Sequence, residues 1–391
     1  MKSIKEEVNL NNKKILLRLD LNVPLNNGKI TDATRIDKII PTLKFLISQN
    51  TKIIIISHIG RPKGRIINEL SLKPICQDLQ NKLNQKISLI TKDIKELNNN
   101  SFFNDNEKII MLENIRFYSE EEENNQQFAK QLAGLADIFV NDAFSCSHRA
   151  HASMHKITNF LPSYSGLQLD LEVNALKKIT SEIKKPITCI IGGSKVSTKI
   201  NIIKNLIPKF NNIIIVGGMA NNIIKYKGHN IGKSLYEENS SSIIQEIFLL
   251  SKKENCKIIY PIDIVVAKDL NGSPENKELN EIMSDEMILD IGPKTIDMIN
   301  NTIDNSKTIL WNGPAGYFEN PNFANGSIKI ANKIIEKNIT NEIYSVAGGG
   351  DTVSFLNSLN AYKNFDFIST AGGAFLEYLE GKELPGIKAL N

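Results

Sequence analysis

Several stretches of this chain are apolar at consecutive positions and rich in β-branched residues, "KIIIIS" (52–57) being the plainest. A half-exposed strand would alternate apolar and polar residues. An unbroken apolar run suits a strand covered on both faces, which a parallel sheet flanked by helices provides. Such runs alternate with helix-like segments along the whole sequence, the βαβ pattern of an α/β fold with doubly wound parallel sheets. The chain has 391 residues. Single cores rarely grow past about 250–300 residues, so two domains are expected.

In such sheets ligands bind beyond the carboxyl ends of the strands, so the residues after each run are the informative ones. In the first half, "KILLRLDLNVP" (14–24) ends in Asp20 and Asn22 and "TKIIIISHIGRP" (51–62) in His58 and Arg61. "KIIMLENIRF" (108–117) ends in Arg116, and "ADIFVNDAFSCSHRAH" (136–151) in His148, Arg149 and His151. Arg35, in "TDATRI" (31–36), is expected to open a helix. Four such loops converging on one edge point to a small anionic ligand. The arginines agree: of 47 Lys plus Arg, only six are Arg, at 18, 35, 61, 65, 116 and 149. A guanidinium fork matches phosphate or carboxylate bidentately and an ammonium does not.

In the second half the runs end in glycine. "ITCIIGGSK" (187–195), "IIIVGGMA" (213–220), "YSVAGGGDT" (344–352) and "FISTAGGA" (367–374) each read as strand, Gly-Gly, helix. Glycine lets backbone N–H groups approach a phosphate at a helix N-terminus. Four such turns suggest a nucleotide. Lys195 and Lys199, four residues apart, are expected on one helical face aimed at the same phosphates. "GHNIGKS" (228–234) imitates a P-loop, but it has three residues between its glycines and follows a helix, so an ordinary P-loop ATPase is excluded.

The stretch "NDAFSCSHRAHASMH" (141–155) allows two readings. His148, His151 and His155 would share one face of a helix and could hold a metal. Alternatively Arg149, flanked by His148 and His151, holds an anion.

Composition narrows the class. Charged residues make up 23% and the net charge is +4, without a Lys/Arg-rich block, so nucleic acid is not an expected partner. No apolar run approaches the roughly 20 residues of a membrane span, and the start, "MKSIKEEVNLNNKK", lacks an apolar signal core. The four cysteines, at 76, 146, 189 and 256, form no CxxC pair. That argues against a disulfide framework or structural zinc and leads to an expected cytoplasmic location. "NNN" (98–100) and "EEEE" (120–123) read as solvated surface without function.

Taken together, "RLDLNVPLNNGKITDATRI" (18–36), "SHIGRPKG" (57–64), "LENIRF" (112–117), "FSCSHRAHASM" (144–154), "GGSKVSTKI" (192–200), "WNGPAGYFE" (311–319), "AGGGDT" (347–352) and "LEGKELPGIKAL" (379–390) resemble the phosphoglycerate kinase family. The resemblance covers essentially the whole chain. It implies two Rossmann-like domains facing a cleft: residues 1–165 for 3-phosphoglycerate, an interdomain helix at 166–180, a nucleotide domain at 181–365, and a tail at 366–391 crossing back. It further implies a monomer, hinge closure, and transfer of the acyl phosphate of 1,3-bisphosphoglycerate to ADP.

Carried over by position, Asp20, Leu21 and Asn22 would contact the glycerate end. His58, Ile59, Gly60, Arg61, Arg116 and Arg149 would hold the 3-phosphate, with His151 supporting the patch and His155 packing. Arg35, Lys195 and Lys199 would act on the transferring phosphoryl group. Gly193, Gly217, Gly218, Leu289, Asn312, Pro314, Tyr317 and Glu319 would line the nucleotide site. Gly349, Gly350, Asp351 and Thr352 would meet the phosphates, Asp351 also serving Mg²⁺ that enters with ATP or ADP. The chain departs from the family pattern at Ser145-Cys146-Ser147, Tyr317 and Ala371. A dehydrogenase would share the fold but lacks a GxGxxG here. A non-catalytic anion-binding protein would not need the glycine turns.

Overall fold

The computed structural model describes residues 1–97, 103 and 107–391, so the NNN patch lies outside the described residues. The chain divides into two compact units, Met1–Asn174 with Glu383–Asn391, and Ala175–Lys382.

The first unit is built on a six-stranded sheet. Its strands are β1 (Lys14–Leu19), β4 (Lys52–Ile56), β5 (Ser88–Ile90), β6 (Ile109–Leu112), β7 (Ile138–Asp142) and β8 (Ser163–Ser165). A small hairpin, β2 (Leu25–Asn26) and β3 (Lys29–Ile30), turns at Asn27-Gly28, both with positive φ. The sheet order is β5-β6-β4-β1-β7-β8, every pairing parallel. Ile53 through Ile56 are all fully buried, as an unbroken apolar run requires when helices cover both faces. The four loops singled out in the sequence follow β1, β4, β6 and β7, which are neighbours, so they leave the sheet at one edge.

The second unit carries β9 (Ile187–Ile191), β10 (Asn212–Ile215), β11 (Lys257–Ile259), β15 (Thr308–Asn312), β16 (Tyr344–Gly348) and β17 (Phe367–Ser369) in the order β11-β10-β9-β15-β16-β17, again all parallel. A separate antiparallel sheet, β12 (Asp263–Ala267), β13 (Glu275–Glu278) and β14 (Met287–Ile291), joins this unit. β17 pairs with β16, and residues through Lys382 fall within the second unit. The segment returning to the first unit is therefore 383–391, not 366–391. It is held there by Gly386, whose N–H donates to Ser147 O at 2.9 Å and whose carbonyl accepts from Asn141 at 3.3 Å. The division between units falls inside the helix Leu167–Thr180.

That helix is anchored by the last residue of β7. Asp142 accepts from Leu169 N at 2.8 Å and from the Thr42 hydroxyl at 2.5 Å. These donors favour the charged form, but burial outweighs them and lifts the carboxyl to about 7. In the unfolded chain it titrates near ~3.9. A raised acid contributes stability that is fully present below the unfolded value and lost as pH rises through the folded one. Asp142→Asn removes the ionisation. Urea unfolding should therefore show the wild type losing on the order of 4 kcal/mol relative to the variant between about pH 4 and 7. Parallel stability curves would refute the assignment.

Candidate functional site

In the first unit the strand ends bring the expected side chains together. Arg35 stands in the first turn of the helix Thr34–Ser48 and donates to Asn22 O at 3.0 Å and to Asp20 at 3.3 Å. Asp20 also accepts from the Ser145 hydroxyl at 2.5 Å, which ties the end of β1 to the loop after β7. Asn22 accepts from Gly60 N at 2.9 Å, and Leu21 N donates to the Ser57 hydroxyl at 3.2 Å. Arg116 is buried and donates to Gly60 O at 3.1 Å, while its Nε has no hydrogen-bond partner. Ile59 is buried, its carbonyl taken by Asn114 at 2.8 Å. Arg61 and Arg149 are exposed, and among the described residues neither forms an ion pair. Arg149 Nε donates to His148 at 3.2 Å.

The histidine stretch is not a helix. Residues 147–155 run through turns, so His148, His151 and His155 do not share a helical face, and no metal-ligand cluster occurs among the described residues. His155 is half-buried against Asn124 at 3.2 Å. His151 is buried, and burial with Arg116 and Arg18 nearby pushes it down to about 3. The acidic run also departs from its reading as solvated surface. Glu121 is fully buried and accepts from both the backbone and the hydroxyl of Ser153. Three of the four acids face outward, and one has an internal task that composition hides.

In the second unit a cavity of about 310 Å³ opens at the carboxyl edge of the sheet. Gly193, Gly217, Gly218, Leu289, Pro314, Tyr317, Glu319 and Asp351 line it. Tyr317 N donates to Leu289 O at 2.7 Å, joining the two walls. Beside the cavity, Lys199 donates to Gly192 O and Asn312 Oδ1, each at 2.5 Å, and to Asn312 O at 3.2 Å. Its ammonium thus bridges the ends of β9 and β15. Burial pulls it down to about 8. Asn312 in turn donates to Gly348 O at 2.7 Å, and Thr352 accepts from Gly313 N at 2.7 Å. Gly349 and Gly350 open the helix Gly350–Ser358, with Asp351 exposed in its first turn.

Lys195 and Lys199 are not on one helical face. The helix begins only at Ile200, and Lys199 is its N-cap. Between Gly193 and Ile200 the backbone turns, because Ser197 N and Oγ are held by Glu237 and Thr198 donates to Lys195 O at 2.8 Å. The local Thr198 bond competes with helix formation, and Glu237 holds Ser197 from outside the segment. Lys195 consequently stands exposed while Lys199 points inward. The turns after β10, β16 and β17 do lead directly into helices.

The model of the phosphoglycerate kinase family matches residues 5–382. The chain belongs to the phosphoglycerate kinase family. It is 45% identical over 388 residues to a phosphoglycerate kinase of Wolbachia pipientis wMel, covering 98% of this chain and 97% of that one. A phosphoglycerate kinase of Bartonella bacilliformis is 43% identical, with coverage of 98% and 97%. Among solved structures, a phosphoglycerate kinase from Coxiella burnetii superposes with a TM-score of 0.92 at 39% identity, covering 99% and 98% of the two chains. One from Pyrococcus horikoshii OT3 gives 0.80 at 27% identity, covering 100% and 98%. Family membership makes the chain a phosphotransferase acting on a carboxyl acceptor, and neither the dehydrogenase nor the non-catalytic reading is favoured.

Sequence reasoning missed part of each cluster. Arg18 was visible only as one of the six grouped arginines and received no role. Asn221, Leu235, Leu270 and Met287 also line the cavity; Asn221 lies in the helix Gly218–Tyr226 behind a glycine turn, whereas Leu235, Leu270 and Met287 come from loops and an antiparallel strand that carry no glycine signal. One position makes the geometry testable. Gly349 has φ +98, and a Cβ there would lie 2.6 Å from Asn312 Nδ2. Gly349→Ala strains the backbone and displaces the residue that holds Lys199. ADP affinity measured by calorimetry is expected to drop on the order of tenfold, about 1.4 kcal/mol. An unchanged Kd would contradict it.

Proposed function

We propose that the first unit holds 3-phosphoglycerate or 1,3-bisphosphoglycerate through its arginines, and that the second holds ADP or ATP in the 310 Å³ cavity. The reaction is reversible transfer of the acyl phosphate of 1,3-bisphosphoglycerate to ADP. Asp20, Leu21 and Asn22 take the glycerate end; His58, Ile59, Gly60, Arg61, Arg116, Arg149 and His151 form the surroundings of the 3-phosphate. Exposed forks at Arg61 and Arg149, neither in an ion pair among the described residues, support this, since their terminal N–H groups are open to bidentate contact.

No general base is required. The acceptor in the direction of phosphorylation is a carboxylate, already ionised at pH 7. The nearby imidazoles are poor bases, His151 at about 3 and His58 well below its ordinary value through burial and Arg18. What transfer needs is alignment and charge stabilisation of the phosphoryl group. Arg35 serves it from one unit, Lys195 and Lys199 from the other. Each unit binds one substrate, so transfer requires them to bring their ligands together with water excluded. Asp351, exposed beside the cavity, fits a Mg²⁺ held by one carboxylate and the nucleotide phosphates. When bound, that ion neutralises phosphate charge. Glycolysis in the cytoplasm, by a monomer, is the setting this reading implies.

The observation that carries the reading is the Lys199 ammonium, held by Gly192 and Asn312 at the ends of β9 and β15 beside a cavity of nucleotide size. The direct test is ATP-dependent phosphorylation of 3-phosphoglycerate in a coupled assay, and no turnover would refute it. Arg35→Ala and Lys199→Ala should each lower kcat by 10³-fold or so while KM moves far less, as groups acting on the transition state do. The pH profile follows from Lys199. Its charged form is lost as pH rises through about 8. Because kcat/KM reports the free enzyme, kcat/KM for the nucleotide should decline above that pH. A profile flat to pH 9.5 would exclude the ammonium from the reaction.

A further inference from the structure

Arg18 is the largest charged side chain buried without any exposure, and the reaction above gives it no task. It sits at the end of β1 and spends its guanidinium on four neighbours. Nη1 donates to Leu19 O at 2.6 Å, Nε to the Ser153 hydroxyl at 3.2 Å, and Nη2 faces His58 Nδ1 at 3.0 Å and Cys146 Sγ at 3.9 Å. The Ser153 hydroxyl passes on to Glu121 Oε1 at 2.7 Å, and Ser153 N reaches Glu121 Oε2 at 2.9 Å. A buried line therefore runs from Glu121 through Ser153 and Arg18 to His58.

The chemistry of this line has a direction. A guanidinium only donates and is not deprotonated in proteins. His58 Nδ1 must therefore accept, and the proton of the neutral ring sits on Nε2. Protonating Nδ1 would aim one N–H at another in a site only 2% exposed. The groups around His58 reinforce this: Arg18, Arg116, Arg35 and His151 all oppose a positive ring, and the Cys146 thiol lies 3.9 Å from Nδ1. Nε2 has no hydrogen-bond partner among the described residues. Glu121 lies behind Arg18 through the Ser153 hydroxyl; burial raises its carboxyl and Arg18 opposes that rise. His151 Nδ1, 3.8 Å from the same carboxylate, makes no hydrogen bond to it.

We propose that Arg18 is a positioning residue that locks His58 in its neutral, Nε2-protonated tautomer, so that a fixed N–H donor faces the anionic ligand. The proposal rests on the reading of this loop cluster as the 3-phosphoglycerate site. A neutral donor gives contact with phosphate that does not vary with pH across the physiological range. Arg18 thus acts on substrate through His58 without touching it.

Long-range ¹H–¹⁵N correlation spectra of the ¹⁵N-labelled full chain test this. In the wild type, His58 should show an unprotonated Nδ1 and a protonated Nε2 that do not titrate from pH 5.5 to 8, and added 3-phosphoglycerate should shift the Nε2 signal. Arg18→Met should release the ring to a tautomer mixture titrating near its ordinary value. KM for 3-phosphoglycerate should then rise roughly tenfold at pH 8 and recover as His58 protonates toward pH 6. Arg18→Lys, still able to donate to Nδ1, should keep the Nε2–H signature. A wild-type His58 protonated at Nδ1, or titrating within that range, overturns the lock even if the variants fail to fold. So does an Arg18→Met enzyme with a single tautomer and a pH-independent KM. A locked ring whose signal ignores 3-phosphoglycerate overturns instead the reading of the site, and the donor role with it.

Discussion

Both sheets reverse their strand order beside their first strand, and the side chains that bridge that reversal hold everything else in place. In a doubly wound sheet the loops leave in opposite directions at such a point, which opens a crevice at the carboxyl edge. In the first unit the reversal lies between β1 and β7, and Asp20 and Ser145 close it at 2.5 Å. In the second it lies between β9 and β15, and Lys199 spans it through Gly192 and Asn312. One crevice is floored by a carboxylate that orients an arginine, the other by an ammonium. The same topology thus presents two different chemistries, and the difference comes from what each strand end carries.

Burial then sets the character of each site. In the first unit Arg18 and Arg116 lie inside, while Arg61 and Arg149 stand outside. The inner pair hold backbone and imidazole in position, and the outer pair remain open to a ligand. Desolvating a cation is costly unless it is paired or fully hydrogen-bonded. Arg18 meets that condition through Leu19 O, Ser153 and, beyond it, Glu121. In the second unit the same cost appears as the lowered proton affinity of Lys199, eased by three carbonyl-type acceptors.

The strand ends were legible because unbroken isoleucine runs have one structural meaning and the residues after them are chemically distinctive. The antiparallel strands between Asp263 and Ile291 were not. "ENKE" in β13 is polar and half exposed, and "DIVVA" in β12 and "MILDI" in β14 are short apolar runs with no arginine or double glycine directly after them. Spacing misled where other side-chain bonds competed with the helix: Thr198 bonds back to Lys195 and Glu237 holds Ser197, so Lys195 and Lys199 part company. It misled again at the histidines, where a period of three and four was matched by turns. Glu121 was hidden by its neighbours, since a run of four acids looks uniformly solvated until one is seen to satisfy a buried serine.

The departures from the family pattern fit the same logic. Ser145 and Ser147 are absorbed into the framework, the first on Asp20 and the second on Ala143 O at 3.1 Å and the returning Gly386. Cys146 is buried between them, and burial pushes its thiol upward, which keeps it protonated and leaves Arg18 and His58 without a competing negative charge. Tyr317 contributes its backbone N–H to Leu289, so the wall of the cavity is held by main chain whatever side chain stands there. Ala371 is buried, with its N–H bonded to the Ser369 hydroxyl at 3.3 Å, and the adjacent Gly372, at φ +55, makes the turn into the helix Gly373–Leu379. Side chains at these positions can vary because the backbone and a few buried hydroxyls carry the geometry. Under the proposed function the arginines and Lys199 have no such latitude, since there their role would lie in charge delivered at a fixed place.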